Sequence, residues 1–222
     1  MSVQVVEFDH RWNGTPRLRP RTDRIIIHHA ASAGDIGAEA IHRDHASRRD
    51  ANGKLIYLGI MYHFVIRFDG TAERGRPVWA LGGHAKDNNA DSIGICLAGN
   101  FERHPPTWAQ MHTLADLIDD LEAEYGELTV VGHGDVNATS CPGRLFPWAW
   151  LRERLGPLPA THKRVKVRVD GELLAASGYL IGSTSFVPVR LVAEALGATV
   201  DWHDGTVIIE RPAADTAEPQ EG

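Results

Sequence analysis

Arg24-Ile25-Ile26-Ile27-His28-His29 is a continuous apolar run that ends in two histidines. Such a run reads as a buried strand, here one that delivers imidazoles to a sheet edge. Ser92 to Ala98 is a second buried strand, ended by Gly99-Asn100. Met61 to Arg67, followed by Asp69-Gly70, reads as a strand entering a tight turn. Helical signals lie between these runs. Asp35 to Arg49 has helical composition, and Thr107 to Tyr125 is the clearest helix of the chain. Thr107 and Gln110 form a capping-box pattern. Trp108, Met111, Leu114, Ala115, Ile118 and Leu121 recur at helical spacing and define one buried face. Gly126 suits the stop. Leu128 to Val131 is a short strand leading into Gly132-His133, and Phe146 to Leu155 a last helix. Alternating strands and helices place this part of the chain in the α/β class.

The 222 residues are 43% hydrophobic and 23% charged, proportions that exclude a disordered or collagen-like chain. A net charge of -6 and a pI near 6.0 give no basic excess for a phosphate backbone, so no nucleic-acid partner is expected. No apolar run approaches the ~18 residues of a membrane span. Met1 to His10 carries Glu7 and Asp9 and no apolar segment, so no signal peptide is expected. Two cysteines cannot make a disulfide framework.

Gly156-Pro157-Leu158-Pro159 interrupts the pattern. It predicts a larger unit over 1–157, a linker over 158–163 and a smaller unit over 164–211. In the smaller unit Val165, Val167 and Val169 alternate with Lys166 and Arg168, a half-exposed strand turning at Asp170-Gly171. Phe186 to Arg190 leads into a short helix, Leu191 to Leu196. Two strands then flank His203-Asp204-Gly205, a hairpin signal. The acidic, polar tail 212–222 is expected to be disordered.

Twelve histidines cannot all be ligands, so spacing must choose among them. Gly132-His133-Gly134-Asp135-Val136-Asn137-Ala138-Thr139-Ser140-Cys141-Pro142-Gly143 sets a His at a strand end and a Cys in the turn-rich loop that follows. Imidazole and thiolate together suit a borderline-soft ion such as zinc. An open catalytic site needs a third ligand, for which strand-terminal His28 is the natural candidate.

Several separated motifs, in order over roughly residues 20–155, resemble a known family. They are Ile25 to Ala30, Tyr62-His63-Phe64-Val65-Ile66, Arg74 to Pro77, His84, Asn89, Ser92 to Ile95, Gly99-Asn100-Phe101 and Gly132 to Gly143. The family is that of the zinc-dependent N-acetylmuramoyl-L-alanine amidases, shared by phage lysozyme-type amidases and peptidoglycan-recognition proteins. The resemblance implies a mixed central β-sheet flanked by helices. It implies one Zn(2+) per chain, held by His28, His133 and Cys141. It also implies a catalytic Tyr62, and Thr139 at a position that is Lys or Thr in active members. Zinc lowers the pKa of a water from ~16 toward ~7, so hydroxide becomes available for attack on an amide carbonyl. Tyr62 and Thr139 are candidates to hold the developing oxyanion. Tyr62, or a water held by it, is also the candidate to protonate the leaving amine, although an unperturbed phenol near pKa 10 is a weak acid.

The remaining residues carry weaker readings. Asp135, two positions after His133, is a candidate to orient a ligand imidazole. His84 and Asn89 match positions near the substrate groove, where substrate contact and loop-holding are both open. His45 reads as groove-lining or solvated. His29 faces away from His28 and reads as packed or hydrogen-bonded, and Cys96 within its apolar strand reads as an inert buried thiol.

Residues 163–211 resemble the small module named after the N-terminal domain of copper amine oxidases. Val167 to Gly171, Phe186 to Arg190, Glu194 to Ala198 and Val200-Asp201-Trp202 carry the match. The name does not imply copper here, since His162 and His203 alone make no metal cluster. A wall-targeting role follows by analogy, and Lys163, Arg164, Lys166 and Arg168 could face anionic wall polymers or simply solvent.

The resemblance thus implies a monomeric peptidoglycan hydrolase that cuts between N-acetylmuramic acid and L-alanine, of the phage or prophage endolysin kind. It would be made in the cytoplasm and act at the bacterial cell wall after release. The alternatives are a non-catalytic peptidoglycan-binding module, an intracellular amidase recycling muropeptides, and a structural-zinc protein, for which no fourth ligand is evident.

Overall fold

The structure, a computed structural model, describes residues 3–156, 162–181, 184–187, 189–203 and 206–211. It divides into two compact units, one ending at Gly156 and the other starting at Pro157. The expected linker residues 158–161 and the tail 212–222 lie outside the described residues, as do the side chains of Lys163, Arg164 and Lys166.

The larger unit is built on a six-stranded mixed sheet. Its strands are β1 (Val5–Val6), β2 (Arg24–His29), β3 (Phe64–Ile66), β4 (Ala72–Arg74), β5 (Ser92–Leu97) and β6 (Thr129–Gly132), in the order β1-β4-β3-β5-β2-β6. All neighbours are parallel except the pair β3 and β4. Helices α1 (Ala38–Ser47), α2 (Trp108–Tyr125), α3 (His133–Val136) and α4 (Trp148–Leu155) complete the unit. This is the expected α/β architecture.

Side-chain alternation along the central strands sorts them onto two faces. Ile25 and Ile27 of β2 join Ile93, Ile95 and Leu97 of β5 against Met111, Leu114, Ala115, Ile118 and Leu121 of α2. On the other face Val65 and Cys96 pack with Ala38 and Ile41 of α1 and with Ile60. His28 lies opposite Cys96 in the parallel register of β2 and β5, and Cys96 lies opposite Val65. Register therefore puts His28 on the α1 face, with the longer helix α2 behind it.

The capping box of α2 is complete, with Gln110 N donating to Thr107 Oγ1 and Thr107 N to Gln110 Oε1. Gln110 does more than cap, because its amide also donates to the carbonyls of Ile66 and Ala98 and ties the helix start to two strands. Trp108 departs from its expected place on the buried face. It is 61% exposed at the first helical position and lies with tilted rings against His112 and Trp150 instead.

Two other elements begin three residues later than the sequence suggests. The expected helix over Asp35 to Arg49 is helical only over Ala38–Ser47. Asp35 is diverted to Arg67 and to the N–H of Phe68. The N-cap is Gly37, which has no side chain to cap with, so the buried Glu73 carboxylate accepts from Ala38 N. A carboxylate there also complements the helix dipole. The expected strand over Met61 to Arg67 is regular only from Phe64. His63 Nδ1 takes the N–H of Gly94, which a strand carbonyl would otherwise occupy.

The smaller unit holds an antiparallel sheet of β7 (His162–Val169), β8 (Glu172–Ile181) and β9 (Thr184–Phe186), then α5 (Val189–Ala195) and an antiparallel pair, β10 (Thr199–His203) and β11 (Thr206–Glu210). β7 already includes His162 and Lys163, which the sequence places in the linker.

Candidate metal centre

His28, His133 and Cys141 come together at the carboxyl ends of β2 and β6. Each offers one ligand atom, and the three atoms lie within 4.8 Å of one another. Cys141 Sγ is 3.7 Å from His28 Nδ1. Tetrahedral zinc with ordinary Zn–S and Zn–N bonds sets such a pair about 3.5 Å apart, so the span needs little adjustment. Among the described residues the group contains these three and no fourth. Two imidazoles, one thiol and an open corner fit a zinc site that retains a position for water or substrate.

The backbone prepares each ligand. β2 presents His28 in a fully buried position. His133 is the first residue of α3, and Asp135 Oδ2 accepts from Gly132 N at 2.7 Å, closing that short turn. Asp135 thus engages the main chain beside His133, where the sequence reading placed it on an imidazole. Cys141 is tied in by its main chain and by its sulfur. Gly134 N donates to its carbonyl at 2.6 Å, and His29 N donates to its Sγ at 3.4 Å.

Burial dominates the electrostatics. It pushes His28 well below its ordinary pKa, and the neighbouring His84 and His133 push the same way. His133 is lowered too, again by burial first. The Cys141 thiol is pushed up to about 11 by burial, against the opposing His29 N–H. The metal-free cluster is therefore neutral, and a cation must displace the thiol proton.

Tyr62 stands beside His28, with ring centroids 5.0 Å apart. Burial raises its pKa well above the ordinary value, and nearby Cys96 and Cys141 add to the shift. The Tyr62 hydroxyl thus stays protonated, and it donates toward the sulfur of Cys96. Thr139 is exposed at the rim, and its Oγ1 accepts from Cys141 N at 3.3 Å. That contact occupies an oxygen lone pair and leaves the O–H free to donate.

The other candidates sit less directly in the site. Asn89 Oδ1 accepts from Ala85 N, which is the loop-holding role. His45 is buried against Tyr57 and Tyr62, which overturns the solvated reading. Its pKa falls to about 4, chiefly by burial and then by Arg48. His84 is 6% exposed, and its Nδ1 lies 3.0 Å from His28 Nε2. Burial lowers its pKa to about 3. His29 accepts from Phe101 N, and Cys96 is fully buried, both as expected. Sequence reading missed the His29 main-chain donor, since an N–H carries no residue signature.

With that geometry in view, known proteins are informative. The family model for N-acetylmuramoyl-L-alanine amidase matches residues 18–144, and that for the copper amine oxidase N-terminal domain matches residues 168–216. The endolysin of Klebsiella phage KP32 is 34% identical over 144 residues, covering 62% of this chain and 91% of the relative. The endolysin of Escherichia phage T7 is 34% identical over 146 residues, covering 63% and 92%. Among solved structures, the endolysin N-acetylmuramoyl-L-alanine amidase LysCS of Clostridium intestinale is similar with a TM-score of 0.64 and 33% identity, covering 70% of this chain and 97% of that one.

Proposed function

The chain belongs to the N-acetylmuramoyl-L-alanine amidase family, and from that premise we propose that it hydrolyses the amide between N-acetylmuramic acid and L-alanine in bacterial peptidoglycan, as phage endolysins do. The observation that carries the reading is the convergence of His28, His133 and Cys141 with no fourth protein ligand among the described residues. These three residues would hold one zinc ion per chain, which would supply Lewis-acid polarisation of the amide carbonyl and a water activated near neutral pH.

The chain's own residues do the rest. His28 and His133 offer neutral lone pairs, and Cys141 offers a thiolate held by the His29 N–H. Tyr62 and Thr139 direct O–H donors at the oxygen that gains charge as the carbonyl is attacked. For the leaving amine the candidate proton donor is Tyr62 or a water held by it, and the raised pKa of the buried phenol favours the water. His45 packs against Tyr62 and backs the ring.

The smaller unit is read as a wall-binding module, a tether that raises the effective concentration of the active unit at its polymer. Among the described residues no helix is long and apolar enough to cross a membrane. The protein is read as a monomer made in the cytoplasm and acting at the cell wall after release.

The test is digestion of purified sacculi by metal-free and zinc-restored protein. Zinc-dependent release of L-alanine amino termini, without new reducing sugar ends, is expected. Full activity of the metal-free protein, or new reducing ends in place of amino termini, overturns the reading.

A further inference from the structure

We propose that His84 is a positioning residue that accepts the Nε2–H of His28 and so holds His28 Nδ1 toward Cys141 and His133. The inference deepens the proposed function and rests on the reading of His28 as a metal ligand.

The two nitrogens of His28 face different partners. Nδ1 lies 3.7 Å from Cys141 Sγ, and Nε2 lies 3.0 Å from His84 Nδ1. A neutral imidazole carries one proton. If Nδ1 gives its lone pair to a cation, the proton must sit on Nε2, and His84 Nδ1 must then accept it. His84 in turn carries its own proton on Nε2, a buried nitrogen, and the main-chain carbonyl of Ser92 also favours a proton on this ring. The pair thus has a single arrangement compatible with an ion on His28.

A shaped slot holds the accepting ring. A Cβ at Gly94 of β5 would fall 2.5 Å from His84 Cδ2, and one at Gly82 would fall 2.6 Å from the same atom. Both contacts are with a ring that has nowhere to go, because His63 stands edge-on beside it at 5.6 Å between centroids. His63 is fixed by the Ala80 carbonyl and the Gly94 N–H. Two glycines and an anchored histidine therefore clear and wall a place for one imidazole.

The choice of acceptor has a consequence for charge. A carboxylate in that slot would orient His28 equally well, but it would add a buried negative charge beside the cluster. An imidazole orients the ligand and leaves the cluster's charge unchanged.

The test compares His84→Phe, which fills the slot without an acceptor, with His84→Asn, whose Oδ1 can stand near the Nδ1 position. Zinc affinity is read by competition with a chromophoric chelator, and ligand geometry by the visible absorption of the cobalt-loaded protein. His84→Phe is expected to lose about 10–100-fold in affinity and to alter the cobalt spectrum, while His84→Asn stays within roughly threefold of the parent. Gly94→Ala, which displaces the ring but keeps His84, is expected to weaken zinc as well. Parent-like affinity and spectrum in His84→Phe or in Gly94→Ala overturn the proposal. So does an equal loss in the Phe and Asn variants, and if the Phe variant does not fold, weak binding by the Asn variant alone overturns it. Failure of the unaltered protein to bind zinc sinks the metal reading itself, a distinct outcome.

Discussion

The main-chain N–H of His29 donates to the Sγ of Cys141 at 3.4 Å. The strand that carries one candidate ligand, His28, thereby also steadies the sulfur of another. An N–H donor favours thiolate over thiol, and here it opposes the burial that pushes the thiol up to about 11. Ligand and support come from neighbouring residues of one strand, so the two cannot drift apart.

Cys141→Ser keeps the shape of the loop but replaces a thiolate with a hydroxyl that does not ionise at neutral pH. Zinc affinity is expected to fall by at least about 100-fold, and amidase activity with it. Metal content after gel filtration and release of amino termini from sacculi check this. Full zinc occupancy in the Ser variant contradicts the assigned ligand set.

Metal uptake should depend on pH in one direction. His28 and His133 are depressed below their ordinary pKa, so both are neutral above about pH 6.5. Cys141, pushed up to about 11, is still a thiol there. One proton leaves per ion bound, so zinc affinity is expected to rise about tenfold per pH unit between roughly 7 and 9. Chelator competition across that range, corrected for the chelator's own protonation, gives the slope. A flat profile contradicts thiolate ligation.

Tyr62→Phe removes a buried O–H beside His28 and leaves the three ligands in place. Turnover is expected to fall by about 10²–10³, with zinc affinity within roughly threefold of the parent. Steady-state kinetics on soluble muropeptides, paired with metal content, separates the effects. Loss of zinc in this variant would make Tyr62 a structural residue.

His45 sets a stability that fades in acid. Its pKa is about 4 in the folded protein, against about 6.5 unfolded. Between those values the unfolded chain binds the extra proton, so stability falls as pH drops from about 6.5 toward 4 and then levels. About 2 kcal/mol is expected to be lost from this residue between pH 7 and pH 5. Urea unfolding at both values checks it, since the loss should shrink by about that amount in His45→Phe. An unchanged pH dependence in the variant would show that His45 titrates normally.

Much of this was legible in the chain. The continuous apolar runs around Arg24 to His29 and Ser92 to Ala98 declare a buried sheet, because such runs leave few other places to go. The Thr107 and Gln110 pair announces its helix start, because a cap is a local device that needs only four consecutive residues. The Cys in its turn-rich loop after His133 marks a candidate metal-ligand pair for a similar reason of proximity. Trp108 went astray because spacing alone does not tell how far a helix overhangs its sheet.

What the sequence settled by itself was therefore local: which runs are strands, where α2 begins, and which side chains have the chemistry to hold an ion. Tertiary structure alone decided who faces whom. Strand register put His28 on the face away from α2 and within 3.7 Å of Cys141. It also set the buried His84, read from the sequence as a substrate contact or a loop-holder, 3.0 Å from His28. Side-chain type is written residue by residue, whereas distances between residues 56 or 113 positions apart exist only once the sheet has fixed its register.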